Sequence, residues 1–476
     1  MKKKIGAILL ILLFSFNIFG AAESGLPMDQ KKELIKMIFF NARNYAKEDL
    51  DVGEFIAETL MKLTGEEDEA FDRTLSALLQ SVDEYGDYIS GEDEVMWEAD
   101  LSGQSGGIGA TVSMVNGRVT VESLIAGSPA ERAGVKPGYA LINANGNDLT
   151  GMSLSKALSY IRGEVGTSVE VTFEVSEGET VTLTMIRDTI EVISTHSDTI
   201  GENKDIGYVK ISNFSDKTGS EFSAILDGYN ENGISKLILD LRDNGGGTLR
   251  GAVEVCDLLL KEGEVILTIE PKDIEDSQVY KSEGQKFFGD IVVLTNGYSA
   301  SSSEVVTGAL KDNKRATVVG ERTFGKGTVQ NLFPMYIYSG TYKFTTAYYN
   351  TPSGVCINKI GIAPHLTVEN KSHNIPEEDL PKFAFTRELS QGDTGADVAE
   401  IKKGLSLINY KVTENESYDY QMTNGIKDFQ TIMGLPSTGM CDVNTMQVLN
   451  NLLAEIKLIE DTQLEAAIGI LIDIAG

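Results

Sequence analysis

Cysteine and histidine are both scarce in this sequence of 476 residues. The three cysteines, Cys256, Cys356 and Cys441, are too few and too far apart for a disulfide framework, and no CxxC pair suggests a zinc site. Only three histidines are present, which excludes a histidine-rich metal site and leaves few candidates for a Ser-His-Asp triad. We therefore expect no metal and no other cofactor.

Positive charge is also under-represented. Lysine and arginine number 41 against 71 aspartates and glutamates, which gives a formal net charge of −30. A body of this charge does not attract phosphate backbones and is repelled by anionic lipid surfaces, so we expect no nucleic-acid partner. Hydrophobic residues make up 41% of the chain, an ordinary globular fraction that excludes global disorder.

One long apolar run, residues 5–19, lies near the start of the chain. Lysines precede it and small residues follow it up to Ala22, which is the order of a secretory signal. The run is shorter than the roughly 20 residues of a spanning helix. We predict a signal in residues 1–22, either cleaved after Ala22 or retained as an anchor. The body is then extracytoplasmic, secreted or membrane-anchored at the cell envelope.

The remaining sequence predicts a multidomain α+β protein. Residues 23–98 carry apolar positions at helical spacing and predict a helical N-terminal subdomain without chemistry. Residues 188–370 alternate strand-like and helix-like segments, which predicts an α/β core with a β-rich segment near its end. Residues 371–385 contain two prolines and an acidic run at 377–379, so we expect a linker. Residues 455–476 predict a packed or dimer-forming helical tail, and helical arms at both ends suggest a homodimer.

Short β-rich runs and glycine turns fill residues 99–187. The motifs there, in order, are GGIG (106–109), SPAERAGV (128–135) and GYALI (138–142). They resemble a PDZ domain, which implies a β-barrel-like module that binds peptide C-termini. The backbone N–H groups of Gly107, Ile108 and Gly109 would hold the terminal carboxylate, and the next strand would pair with the peptide. The alternative is a small β module without a ligand.

Residues 386–454 resemble the small helical peptidoglycan-binding repeat. The matching positions are LSQGDTGADV (389–398), Leu405, Tyr410, Phe429, Leu435 and Gly439. Two features depart from the pattern: residues 418–420 replace a glycine-rich turn, and Lys403 stands where glutamine is usual. The resemblance implies peptidoglycan as a partner, and the departures leave a vestigial docking module as the alternative.

Two stretches carry the candidate chemistry, NGYSASSSE (296–304) and TFGKGTVQ (323–330), and each follows a predicted strand. A serine at a strand-to-helix turn lies at the positive end of the helix dipole, where free N–H groups can stabilise an oxyanion. Its hydroxyl needs a base, which a lysine kept neutral by burial can supply. Lys326 lies between two glycines that allow close approach, and the uncharged Gln330 could orient the amine without holding it protonated.

Each stretch also has a plainer structural interpretation. Ser301 and Glu304 fit a capping box, which would only begin a helix. A glycine-flanked lysine such as Lys326 is most often a solvated turn. Neither stretch, taken alone, establishes a catalytic site.

Two other enzyme classes share parts of these patterns. Residues 320–326 fit the phosphate-loop pattern GxxxxGK, but Gly327 stands where a magnesium-binding hydroxyl is required and the next segment is β-like. SxxK at 153–156 and KTG at 217–219 fit penicillin-binding enzymes. The first of these falls inside the PDZ-like helix and the second opens a predicted helix, so we expect neither class.

Several motifs within residues 100–370 together resemble the carboxy-terminal processing peptidases, the S41 serine proteases. The matching motifs are LDLRDNGGG (239–247), SASSSE (299–304), GAL (308–310), TFGKGTVQ (323–330) and GIAP (361–364). The resemblance identifies residues 188–370 as an S41-type protease core. It implies a Ser/Lys dyad, with a helical arm and a PDZ gate beside the core.

The resemblance also assigns roles to single residues. Ser301 is the implied nucleophile, Lys326 the general base and Gln330 the amide that orients the base. The implied oxyanion donors are the N–H groups of Ser302 and of a glycine in the GGG run, with Gly246 preferred. Ser302 stands where the family has alanine, so a second hydroxyl lies beside the nucleophile.

We expect an exported serine endopeptidase that cleaves protein or peptide substrates near their free C-termini through an acyl-enzyme. The alternative is a non-enzymatic wall adaptor, in which a PDZ module and a wall module flank an inactive protease core. The intact Ser301, Lys326 and Gln330 favour the enzyme. Whether the PDZ domain inhibits or activates it stays open from the sequence.

Overall fold

The computed structural model describes residues 68–473, apart from positions 116–117, 177–178, 336–339, 411 and 414, together with Lys36 and a few helical positions within 56–62. The predicted signal, residues 1–22, and half of the predicted N-terminal subdomain, residues 23–98, lie outside the described residues. The chain divides into two compact units, residues 1–78 and residues 79–476. Among the described residues, no helix has the length and apolar character needed to cross a membrane.

The first described elements are helix α1 Asp68–Val82, strand β1 Asp87–Ile89 and helix α2 Gly91–Ser102. The turn between α1 and β1 is tight. Gly86 donates its N–H to Asp83 O at 2.9 Å, and a Cβ atom at this glycine would lie 2.4 Å from Leu79 O. Only glycine fits this turn, which fixes the direction in which β1 leaves it.

Residues 104–191 form a β-rich module. Its elements are β2 Gln104–Gly107, β3 Ala110–Val115, β4 Arg118–Leu124, α3 Pro129–Arg132, β5 Ala140–Ala144, β6 Asn147–Asp148, α4 Leu154–Ile161, β7 Ser168–Ser176, β8 Glu179–Ile186 and β9 Asp188–Glu191. The main sheet has the order β3-β4-β5-β7-β8, with β6 on β5, and β2 pairs with β9. Val119, Leu141 and Phe173 lie in its core. Strand β3 is at the sheet edge, where a peptide can be added as a further strand.

The α/β core follows. Its elements are β10 Thr195–Ile200, β11 Ile206–Ile211, α5 Thr218–Glu231, β12 Lys236–Asp240, α6 Leu249–Leu259, β13 Val265–Pro271, a 3₁₀ turn Ile274–Asp276, β14 Gln278–Lys281, β15 Asp290–Thr295, α7 Ser302–Asp312, β16 Thr317–Gly320, β17 Thr328–Pro334, β18 Thr341–Asn350 and β19 Leu366–Thr367. The central sheet has the order β10-β11-β12-β15-β16-β19. It is parallel from β11 onward, and β10 is an antiparallel edge strand. Leu237, Ile238 and Leu239 are all fully buried, as expected for a strand covered on both faces.

A second sheet positions the lysine loop. It has the order β1-β18-β13-β14, and β17 pairs with β18. Strand β17 begins two residues after Lys326 and carries a bulge between Val329 and Gln330. Strand β1 pairs with the start of β18, from Asp87 opposite Lys343 to Ile89 opposite Thr341. The β-rich segment therefore joins the N-terminal residues to the lysine loop.

The C-terminal elements are β20 Lys371–Asn374, α8 Ala396–Leu407, α9 Tyr420–Ile432, α10 Val443–Glu455, β21 Lys457–Glu460 and α11 Thr462–Asp473. Strands β20 and β21 pair antiparallel, so the three helices between them form an insertion held at both ends. Ala467 and Leu471 of α11 pack against Ile238 and Leu294 of the central sheet. The predicted linker thus contains a strand, and the predicted tail covers one face of the protease core.

Candidate active site

The serine run begins where β15 ends, and most of its hydroxyls are bound to the neighbouring loop. The hydroxyls of Ser299, Ser302 and Ser303 donate to backbone carbonyls within residues 241–247 at 2.8, 3.0 and 2.8 Å. Ser301 differs, because its hydroxyl makes no cap hydrogen bond at the start of α7. This distribution favours Ser301 over its neighbours as the nucleophile.

Ser301 has a strained backbone. Its φ of 54° and ψ of −115° lie in a region that residues with side chains rarely adopt. Helix α7 begins at the next residue, so the first N–H groups of this helix lack intrahelical acceptors and carry its positive dipole end. The strain therefore places the serine beside donors that can stabilise a negative charge.

The carboxylate of Glu304 joins the serine turn to the lysine loop. One half of the capping box is present as a hydrogen bond, with Ser301 N–H donating to Glu304 Oε2 at 3.0 Å, while Glu304 N–H donates to the Ser301 carbonyl at 2.8 Å. The same oxygen accepts Lys326 N–H at 2.7 Å, while Oε1 accepts the Thr323 hydroxyl at 2.6 Å and Gly325 N–H at 2.7 Å. Glu304 is fully buried, and burial raises the pKa of its carboxyl despite these donors. The plainer capping-box interpretation thus holds locally, but this side chain also organises a second loop.

Tyr349 makes a second link between the same two loops. Its hydroxyl lies 3.1 Å from Ser301 O and 3.0 Å from Lys326 O, so its single proton is shared between these two carbonyls. The side chain is buried, and burial holds the pKa of the phenol well above its usual range. The phenol therefore stays protonated and can act only as a donor here. Glu304 thus binds the backbone N–H groups of Ser301 and Lys326, and Tyr349 binds the backbone carbonyls of the same two residues.

The Lys326 side chain is partly buried, and burial lowers the pKa of its amine. The positive charge of Lys343 lowers this pKa further, whereas the carboxylates of Asp83 and Glu304 raise it. The Nζ atom lies 4.8 Å from the centroid of the Tyr85 ring, a geometry that favours the protonated amine. The net pKa is lower than that of an ordinary lysine, which favours the neutral form that a general base requires.

Asp83 and Tyr85 belong to a region from which we expected no chemistry. The turn before β1 brings them to the lysine, and Asp83 Oδ2 accepts the N–H of Thr345 in β18 at 2.7 Å. Their position depends on the pairing of β1 with β18, which joins residues more than 250 positions apart in the sequence. No local pattern signals such a contact, so sequence reasoning missed both residues.

Gln330 lies at the bulge of β17, four residues after Lys326. Its side-chain Nε2 donates to Thr328 Oγ1 at 2.8 Å. This bond fixes the amide beside the lysine loop, and its orienting role toward the amine stays a prediction.

The glycine run lies against the serine turn. Gly246 has a φ of 111°, and a Cβ atom there would be 2.8 Å from Ser301 Cβ and 3.1 Å from Ser302 N. Its own N–H donates to Asn244 Oδ1 at 2.9 Å. An oxyanion role for this amide therefore requires it to exchange that acceptor, whereas Ser302 N–H, as the first of α7, needs no such exchange.

The predicted carboxylate loop of the PDZ-like module joins β2 to the edge strand β3. Gly107 ends β2, Ile108 is buried and its carbonyl accepts Ala130 N–H at 2.8 Å. Gly109 has a φ of 74°, and a Cβ atom there would lie 2.3 Å from Ser128 Cβ. The glycine pattern therefore follows from close packing against α3, and the loop leads directly into the strand that could receive a peptide.

The structure rejects the two rival enzyme patterns. Residues 320–326 lead into strand β17, not into the helix that a phosphate loop requires. Ser153 caps helix α4 of the PDZ-like module, with its side chain accepting Lys156 N–H at 3.3 Å. Lys217 precedes helix α5. Across the described residues, no group of three or more His, Cys, Asp or Glu side chains could hold a metal ion.

Known families match three parts of the chain. Peptidase family S41 matches residues 205–368, a PDZ domain matches 120–175 and a peptidoglycan binding domain matches 394–449. The carboxy-terminal processing protease CtpA of Bacillus subtilis is 33% identical over 404 residues, which cover 85% of this chain and 85% of that protein. A CtpA-like serine protease of Staphylococcus aureus is 33% identical over 393 residues, 82% of this chain and 77% of that protein.

A solved photosystem II D1 C-terminal processing protease is 25% identical to the chain. It matches with a TM-score of 0.40 over 72% of this chain and 94% of its own.

The core fold and its relatives define a serine-type peptidase. The chain belongs to the carboxy-terminal processing proteases of peptidase family S41. The predicted family, mixed α+β fold class and enzyme class are confirmed.

Proposed function

We propose that this chain is an exported endopeptidase that uses a Ser301–Lys326 dyad to cleave proteins near their C-termini. The observation that carries the proposal is the Glu304 carboxylate, which accepts the backbone N–H groups of both residues. A glutamate that only capped helix α7 would not also need to accept the backbone N–H of Lys326. The lowered pKa of the Lys326 amine supplies the matching chemistry.

In the proposed reaction, Ser301 Oγ attacks the scissile carbonyl while the Lys326 amine takes its proton. Ser302 N–H and an N–H of the glycine run stabilise the oxyanion. The ammonium then returns the proton to the leaving amine, and an acyl-enzyme remains. Water, deprotonated by the same lysine, hydrolyses this ester and regenerates Ser301.

The proposed substrates have free C-termini that bind at the loop 107–109 and pair with the edge strand β3. We propose that residues 1–22 direct export and that the inserted module, residues 386–454, contacts peptidoglycan at the cell envelope. We also propose a homodimer. We place its contact in the N-terminal helical region, because the apolar face of α11 already packs against the central sheet of the same chain. Cell fractionation and light scattering test the location and the dimer.

The dyad is tested with Ser301→Ala and Lys326→Ala in cleavage of an unfolded protein such as casein. Both variants should lose cleavage with a nearly unchanged thermal unfolding midpoint. Ser302→Ala is the matched control and should stay active. Cleavage retained by either dyad variant would remove the assignment, and an inactive Ser302→Ala would place the nucleophile one residue later.

A further inference from the structure

The inserted module returns to the protease core at Asp461. Strand β21 pairs with β20, and Asp461 follows β21 directly. Asp461 Oδ1 accepts Leu464 N–H at 3.0 Å, so this side chain begins helix α11. Gln463 fixes the same junction, because its Nε2 donates to Val368 O at 2.8 Å and its N–H to Asn370 Oδ1 at 3.2 Å. The return segment therefore has a defined position on the core.

Arg242 binds this junction with a bidentate ion pair. Its Nη1 and Nη2 donate to the two oxygens of Asp461 at 2.6 and 2.8 Å. Its Nε and Nη2 also donate to the Asp240 carboxylate, at 2.6 Å for the shortest contact. The Arg242 side chain is 11% exposed and Asp240 is fully buried, so water screens the Arg242–Asp240 contact weakly. The Asp461 side chain is 39% exposed, so its contact with Arg242 is screened more strongly. Charged, bidentate bonds of this kind are strong and fix orientation.

Arg242 also begins the glycine loop that faces the serine. The next residue, Asp243, donates its N–H to Asn296 Oδ1 at 3.1 Å. Asn244 O accepts Ala300 N–H at 3.0 Å, and Gly246 then packs against the serine turn. A displacement of the Arg242 side chain would therefore reach the loop whose amides face the reacting carbonyl.

We propose that Asp461 is a positioning residue for peptide cleavage, which holds the glycine loop in its catalytic place through Arg242. The inference rests on the proposed role of this loop in oxyanion stabilisation. It predicts that the ion pair affects the rate of the chemical step and leaves substrate binding largely unchanged. The inserted module is thereby linked to the active site, because Asp461 directly follows β21.

Asp461→Asn is the informative variant, because asparagine caps helices as well as aspartate does. It keeps the start of α11 and removes the charge that Arg242 binds. For a quenched peptide substrate we expect kcat to fall about tenfold or more, the size of a lost charged hydrogen bond, with KM within about twofold. Affinity for a peptidyl boronate, which forms a tetrahedral adduct, should fall in parallel with kcat, and Asp461→Glu should recover part of the loss.

Asp227→Asn is the matched control. Asp227 pairs with Lys286 at 2.6 Å on the same core, away from the glycine loop. This variant should keep both kcat and boronate affinity. A wild-type kcat in Asp461→Asn overturns the proposal, and so does an equal fall in both variants, which would indicate general destabilisation. Arg242→Lys, which loses the bidentate fork, should reproduce the kcat effect, and if Asp461→Asn does not fold this variant decides the question.

The proposed function fails separately. If Ser301→Ala still cleaves the substrate, the dyad assignment is wrong, irrespective of the result for the Asp461 variants. Cleavage that requires Ser301 but ignores Asp461 removes only the positioning role.

Discussion

Glu304 Oε2 accepts the backbone N–H of Lys326 at 2.7 Å. A buried carboxylate that carries no proton in the proposed reaction therefore holds the loop of the proposed base. The same oxygen holds Ser301 at 3.0 Å. Because four donors converge on one carboxylate, both oxygens must remain acceptors. This requirement makes the link sensitive to a change of a single atom.

Glu304→Gln replaces one acceptor oxygen with an NH₂ group. In either orientation of the amide, donors of the serine turn or of the lysine loop lose their acceptor. We expect the free energy of unfolding to fall by about 1–3 kcal/mol for each unsatisfied donor, and casein cleavage to be lost. Urea denaturation and a cleavage assay measure the two effects.

The control is Glu254→Gln, at an exposed ion pair with Arg250. It should change stability by less than about 1 kcal/mol and keep activity. Wild-type cleavage in Glu304→Gln would contradict the proposed link.

Tyr349→Phe removes the hydroxyl that binds Ser301 O and Lys326 O. Tyr229→Phe is a close match, since Tyr229 is also buried and its hydroxyl donates to two carbonyls, at 2.8 and 2.9 Å, away from the site. Both variants should lose roughly 1–2 kcal/mol of stability in urea titrations. Only Tyr349→Phe should reduce kcat, and a similar kcat in the two variants would show that the bridge is merely structural.

Much of the protease core was predictable from sequence because its strands are continuous apolar runs. The alternating strand-like and helix-like segments predicted within residues 188–370 are present, for example as β12, α6 and β16. Strand β19, with only two residues, carried no such signal. Hydrophobic runs report burial on both faces of a parallel sheet, but they say little about short edge strands.

The candidate site was predictable only where its residues are contiguous. Ser301 and Lys326 lie in distinct motifs, whereas Tyr85 and Tyr349 look like ordinary aromatics in the sequence. Their roles arise from pairing of distant strands. The insertion of the helical module was hidden for the same reason, since β20 and β21 read separately as a linker and a tail.

The pH dependence of kcat/KM should report the lowered pKa of Lys326. Activity should rise with pH as the amine loses its proton, at a pH below the ordinary lysine pKa of 10.5. Lys343→Gln removes a charge that lowers this pKa, so the rising limb should move to higher pH. Asp83→Asn removes a charge that raises it, so the limb should move to lower pH. Shifts of the same sign in both variants would exclude Lys326 as the titrating group.

Gly246→Ala should inactivate the enzyme through contact with Ser301. The added Cβ would lie 2.8 Å from Ser301 Cβ and the φ of 111° is strained for alanine. Gly263→Ala isolates the strain, because Gly263 has a φ of 83° and no atom near its Cβ position. Each should cost about 1–2 kcal/mol from backbone strain. Wild-type cleavage activity in Gly246→Ala would show that the glycine loop takes no part in the proposed active site.

Substrate selection should depend on a free C-terminal carboxylate. The loop 107–109 leads into the edge strand β3, so a peptide that adds to β3 would bring its terminus to the backbone N–H groups of that loop. An amidated peptide keeps the strand contacts but loses the charge. We expect a lower kcat/KM for the amide than for the acid of the same sequence, and cleavage of both should require Ser301. High salt should narrow the difference, because an exposed carboxylate is screened. Equal cleavage rates for acid and amide at low salt would show that the PDZ-like module does not select substrates by their terminal carboxylate.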